Sequence, residues 1–173
     1  MRCCVLKPQD VVVVLKIAAL KGKAWTYQSL ASSLRMSASG AHESVGRAVK
    51  AGLLQPRTRQ PIRAALEEFL VHGARYAFPP ERGRLTRGMP TAAAAPPLRE
   101  LLADDGGPPL VWADPRGTVR GESLAPLARC GPAAASADPQ LYELLAVVDA
   151  LRAGGARERQ VAAGELRRLL AAS

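Results

Sequence analysis

The stretch "YQSLASSLRMSASGAHESVGRAVKAGLL", residues 27–54, reads as two short helices joined by a tight turn. Thr26 has the side chain to cap the first, Tyr27 to Leu34, whose apolar positions are Leu30, Ala31 and Leu34. "RMS" forms the connection, and Ser37 can cap a second helix running to Ala51. In that helix Ala41, Val45, Ala48 and Val49 fall at i, i+4, i+7 and i+8, which is one face. Gly52 stands where a C-terminal cap glycine belongs, and "LLQ" after it can enter a strand.

Upstream, Pro8 suits the first turn of a helix that continues to Lys21 and stops at Gly22. Its run "VVVVLKIAAL" (11–20) is about half the length of a membrane helix and carries Lys16, so no membrane span is expected. Leu30, Leu34, Val45 and Val49 are expected to pack on that run, leaving the other face of the Ser37 helix free.

Charge singles out the same region. Residues 1–60 hold ten Lys or Arg against two acids, Asp10 and Glu43, a net +8, and all five lysines lie in the first 50 residues. Residues 61–173 hold fourteen Arg against thirteen acids, a net +1. Positive charge confined to one end suggests a local anionic partner, either nucleic acid or a membrane surface.

Downstream, Pro61 can open a helix over Ile62 to His72 ended by Gly73, and "RYAF" (75–78) reads as a short strand. Residues 79–109 are rich in Pro, Gly and Ala and read as a connector, interrupted by a short helix, Leu98 to Ala103. Within it "PPERGRLTRGMP" carries Arg82, Arg84 and Arg87; a DNA-backbone arm, a nest for an acidic partner and a solvated loop all fit it. "LVWADPRGTVRG" (110–121) looks like a hairpin around Asp-Pro-Arg-Gly. Asp138 and Pro139 open a helix to about Ala153, Gly154 and Gly155 break it, and a last helix runs to Leu170. "LYELLAVVDAL" is apolar around more than half its circumference, which suits either a core helix or a subunit interface.

The expected fold is α+β and mostly helical, with an N-terminal domain at 1–78, a connector at 79–109 and a hairpin plus two-helix companion domain at 110–173. The core is aliphatic, since apolar residues make up 48% and aromatics only 4%.

Little in the chain points to catalysis. Cys3, Cys4 and Cys130, with His42 and His72, have no metal-ligand spacing and read as reduced thiols and isolated histidines. The acidic pairs at 67–68 and 104–105 are adjacent rather than set across a cleft. Neither enzyme activity nor a cofactor or metal is expected, and the simplest location is the cytoplasm.

The elements "TYQSLASSL", "MSAS" opening the next helix, Val45 and Val49 on its buried face, and "AGLL" at its end resemble the winged helix-turn-helix of MarR-like transcription factors over residues 8–56. The resemblance implies a repressor that binds double-stranded DNA as a homodimer, with the Ser37 helix entering a major groove N-terminal end first. On the groove side stand Ser37, Ser39, His42, Glu43 and Arg47, with Arg47 placed to grip a guanine edge and Glu43 to accept from cytosine. Lys50 stands on the same free face, Lys21, Lys23, Tyr27, Gln28, Arg57 and Arg59 sit around the helix, and the resemblance sets Arg57 and Arg59 in the wing. Gly40 and Gly46 allow close approach of the helix backbone to a partner. Because a helix follows "LLQ" so soon, the wing is expected to be rudimentary. The rival expectation is an antitoxin-like adaptor whose C-terminal domain holds an enzyme partner.

Overall fold

A computed structural model describes residues 5–103 and 106–172; Cys3, Cys4 and the acidic pair at 104–105 lie outside the described residues. The protein is α+β and mainly helical, with one small three-stranded sheet.

The first helix, α1 (Pro8–Ala19), begins with Pro8 in its first turn, and the Asp10 carboxylate accepts the Lys7 N–H at 2.8 Å. Val11 through Leu15 are fully buried, five residues in succession. A helix apolar all round is a helix covered on more than one side, and α1 is wedged between α3 (Ala38–Lys50) and α7 (Pro139–Ala153). Next in the chain comes α2 (Tyr27–Ser33), which packs on α3 and is capped by the Thr26 hydroxyl, which accepts from the Ser29 N–H at 3.1 Å.

After α3 the chain makes a minimal hairpin. Leu54 bridges Pro61, the Gln55 N–H donates to the Gln60 carbonyl at 2.8 Å, and the Ile62 N–H donates to the Leu53 carbonyl at 2.9 Å. The helical segment that follows runs further than expected: α4 (Arg63–Glu68), a π turn (Phe69–Gly73) and α5 (Ala74–Ala77) are consecutive. "RYAF" is therefore helical up to Ala77 rather than a strand, and Gly73 does not stop the helix. The reason is burial at helical spacing, since Leu66, Leu70 and Ala74 are all inaccessible and four residues apart.

Residues 79–109 are not a structureless connector. They contain the longest strand, β1 (Arg82–Pro90), then two 3₁₀ turns at Ala92–Ala94 and Leu98–Glu100, with Thr91, Ala92, Ala95 and Leu98 buried. Strand β1 pairs antiparallel with both β2 (Leu110–Ala113) and β3 (Val119–Leu124), closing a three-stranded barrel. The expected hairpin thus takes another form: β2 and β3 run parallel to each other, and each finds its antiparallel partner in β1. So tight a barrel needs glycine at its crossings. A Cβ on Gly88 would overlap the Trp112 carbonyl, and one on Gly121 the Pro109 carbonyl.

A short helix, α6 (Gly131–Ala135), leads to α7, whose N-cap Asp138 accepts the Gln140 and Leu141 N–H groups. The last helix, α8 (Ala156–Ala171), folds back on it. Helix α7 is the core of the molecule, packed by α1, α5, α6, α8 and the first 3₁₀ turn. Ten of its fifteen residues are buried, so its apolar circumference is consumed within the chain.

One core accordingly runs through the N-terminal and C-terminal parts alike. Two polar links reinforce the junctions. Lys16 on α1 pairs with Asp138 at 2.7 Å. Fully buried Asp149 accepts from Thr91 (2.8 Å), Trp112 Nε1 (2.7 Å) and Arg152 (2.8 Å), while Arg152 also donates to the Phe78 and Pro79 carbonyls. Burial pushes the Asp149 carboxyl above its ordinary value, against the pull of Arg152 and the two neutral donors. Among the described residues no helix is long and apolar enough to cross a membrane.

Candidate nucleic-acid interface

Helix α3 is amphipathic. Ala41, Ser44, Val45 and Ala48 are buried against α1 and α2, and the opposite side is open. Ser37 fixes where it starts: its hydroxyl accepts the Gly40 N–H at 3.0 Å and lies 3.2 Å from the Ser39 hydroxyl. Ser37, Ser39, His42, Glu43 and Lys50 are all exposed, and Gly46 lies among them with nothing within 4 Å of where a side chain would begin.

Tyr27 is half-buried at the edge of the open face. Its ring lies 4.9 Å from that of His42 and 5.4 Å from that of Trp25, edge-on to the latter. Tyr27 therefore orients His42 on the open face. Gln28 projects exposed from the first turn of α2.

Arg47 does not stand on the open face, contrary to its expected role as a base reader. Its Nε donates to Asp10 Oδ2 and its Nη2 to Asp10 Oδ1, both at 2.8 Å, with further bonds to Ser44 (3.2 Å) and Glu43 (3.4 Å). Its side chain is 16% exposed and that of Asp10 is fully buried. The bidentate bonds it donates to Asp10 hold the guanidinium above its ordinary pKa. Arg47 is the clamp between α1 and α3, and its two shortest bonds, both to Asp10, point into the protein.

Three loops that flank α2, α3 and the hairpin carry basic residues: exposed Lys21 and Lys23 between α1 and α2, exposed Arg35 between α2 and α3, and exposed Arg57 with half-buried Arg59 in the hairpin loop. The first and third loops converge, because Lys23, Trp25, Tyr27, Thr58 and Arg59 line one shared hollow of about 360 Å³. Lys21, Arg35 and Arg59 also have left-handed backbones, with φ of 51°, 52° and 57°. A side chain in that region is disfavoured by roughly 1–2 kcal/mol. Turn geometry thus tolerates strain in each loop and projects a cation from it. Arg35 was not among the residues expected here; its signal is a basic residue in the short turn before Ser37.

Among the described residues no group of three His, Cys, Asp or Glu side chains is placed to hold a metal ion. The chain matches no protein-family model, no curated protein and no solved structure.

Proposed function

We propose that the protein is a sequence-specific double-stranded DNA-binding regulator of the winged helix-turn-helix kind, with α3 as the recognition helix and repression as its mode of action. The observation that carries this is the composition of one surface. An exposed helix face of Ser37, Ser39, His42, Glu43 and Lys50 is reached through Tyr27 by the hollow that Lys23 and Arg59 line, and the adjoining turns of the chain carry Lys21, Arg35 and Arg57. A major groove admits one such helix, and the loop cations suit the phosphates on either side. His42, Glu43 and Ser39 read base edges; Lys50, Lys23, Gln28, Arg35, Arg57 and Arg59 contact the backbone; Arg47 and Tyr27 position the helix and His42. A two-fold operator calls for two copies of the chain, whose shared interface lies outside the buried α7. The minimal hairpin serves as the wing.

The test is an electrophoretic shift with genomic fragments, including the region upstream of the protein's own gene, at two salt concentrations. A discrete complex that survives excess non-specific duplex, and is lost in His42→Ala or Glu43→Ala, is expected. Binding that disappears with salt regardless of sequence would reduce the surface to an electrostatic patch.

A further inference from the structure

On the barrel, Arg87 of β1 and Arg120 of β3 are directly opposed in the antiparallel register, and both are exposed. Side chains so paired sit on the same face with Cβ atoms about 5 Å apart, and like charges there repel. Among the described residues, no carboxylate is left to neutralise them. The Glu122 carboxylate is taken by Arg82 at 3.1 Å, and that of Asp114 is turned onto the Arg116 N–H (2.9 Å) and Nε (3.6 Å). Among the described residues neither Arg87 nor Arg120 forms an ion pair or a side-chain hydrogen bond. Next to them Leu85, two positions from Arg87 on the same strand and opposite Glu122, is 55% exposed.

We infer that the Leu85, Arg87 and Arg120 face of the barrel is a docking site for an acidic segment of a partner protein, in which carboxylates bridge the two guanidinium groups and an aliphatic side chain covers Leu85. Each guanidinium fork can grip a carboxylate bidentately, as it can a phosphate, and two features favour protein over nucleic acid. An exposed leucine beside the pair offers apolar contact that a phosphodiester backbone cannot use. The cations are all arginine, the basic residue enriched at protein interfaces while lysine is depleted, whereas the surface around α3 mixes lysine with arginine. The inference stands independently of the reading of α3, because the two surfaces share no residue.

The test selects a random-peptide phage library on the immobilised full chain, in parallel with the Arg87→Ala/Arg120→Ala variant. Enrichment on the native chain alone of peptides joining Asp or Glu to an aliphatic residue is expected. A synthetic peptide of the enriched sequence should bind about tenfold more weakly to Arg120→Ala, which is the effect of losing one charged contact, and equally well to His42→Ala. Both arginine variants should melt at or above the native temperature, since each removes a repulsion, so weakened binding is not a sign of unfolding. Equal enrichment on both proteins, or enriched peptides without acids, would overturn the inference. Displacement of the peptide by random-sequence duplex, with duplex affinity lost in Arg120→Ala, would also overturn it and assign the face to nucleic acid.

Discussion

Replacing Arg47 by alanine is the perturbation that best separates a folding role from a reading role. The change would strand the Asp10 carboxylate, which is fully buried and loses both of its 2.8 Å bonds from the guanidinium, keeping only the Lys7 N–H. Removing one partner of a buried pair costs about 3–5 kcal/mol; since Arg47 is 16% exposed and some water can reach the gap, the lower end, about 3 kcal/mol, applies here. For a chain of this size each kcal/mol lowers the melting temperature by roughly 2–4 °C, so a fall of about 6–12 °C is expected. Thermal and urea unfolding followed by circular dichroism measure it. Asp10→Asn/Arg47→Ala should recover part of the loss, because the amide oxygen still accepts the Lys7 N–H and no buried charge remains. If Arg47→Ala melts with the native protein yet abolishes DNA binding, the clamp assignment is wrong and Arg47 reads bases after all.

Four further outcomes follow from the same geometry. Arg35→Gly should raise stability by about 1 kcal/mol, by relieving a left-handed backbone, while weakening DNA binding, a pairing that melting and shift assays on one sample would reveal. Lys23→Ala and Arg57→Ala should leave melting unchanged and each reduce the slope of log affinity against log salt by about 0.9, measured by fluorescence anisotropy; a slope equal to the native one would remove that residue from the phosphate contacts. Gly46→Ala adds a methyl into open space within α3 and should stabilise the free protein by about 0.5–1 kcal/mol, yet weaken the complex if the helix backbone approaches the groove there. Asp149→Asn leaves the Arg152 guanidinium buried without its counter-charge and should cost about 3–5 kcal/mol, readable by urea unfolding monitored through the Trp112 fluorescence.

Much of the helical frame was legible because its boundaries are written locally. Thr26, Ser37 and Asp138 each cap the helix expected of them, and α7 stops at the Gly154–Gly155 break. What escaped notice depends on distant partners. Strand β1 is exposed along most of its length, so it has no apolar alternation to betray it, and its pairing is supplied by strands about thirty residues away. The C-terminal strands were visible as extended runs, but their parallel arrangement is a property of barrel closure, not of the turn between them. Arg47 was misplaced for a similar reason. At about 100° per residue it lies beside Ser44, on the flank of α3 rather than its open side, and its partner is 37 positions upstream. The signal was Asp10, an acid in the first turn of a helix that is otherwise a run of valines, which needed a counter-charge from somewhere.

The most direct test of the central claim is amide chemical-shift mapping of the isotope-labelled chain titrated with its selected duplex. The largest perturbations are expected on Ser37 to Lys50 and on the loops carrying Lys23, Arg35 and Arg57 to Arg59, with the Arg87 and Arg120 amides unmoved. Perturbations confined to the barrel, with α3 silent, would contradict the claim.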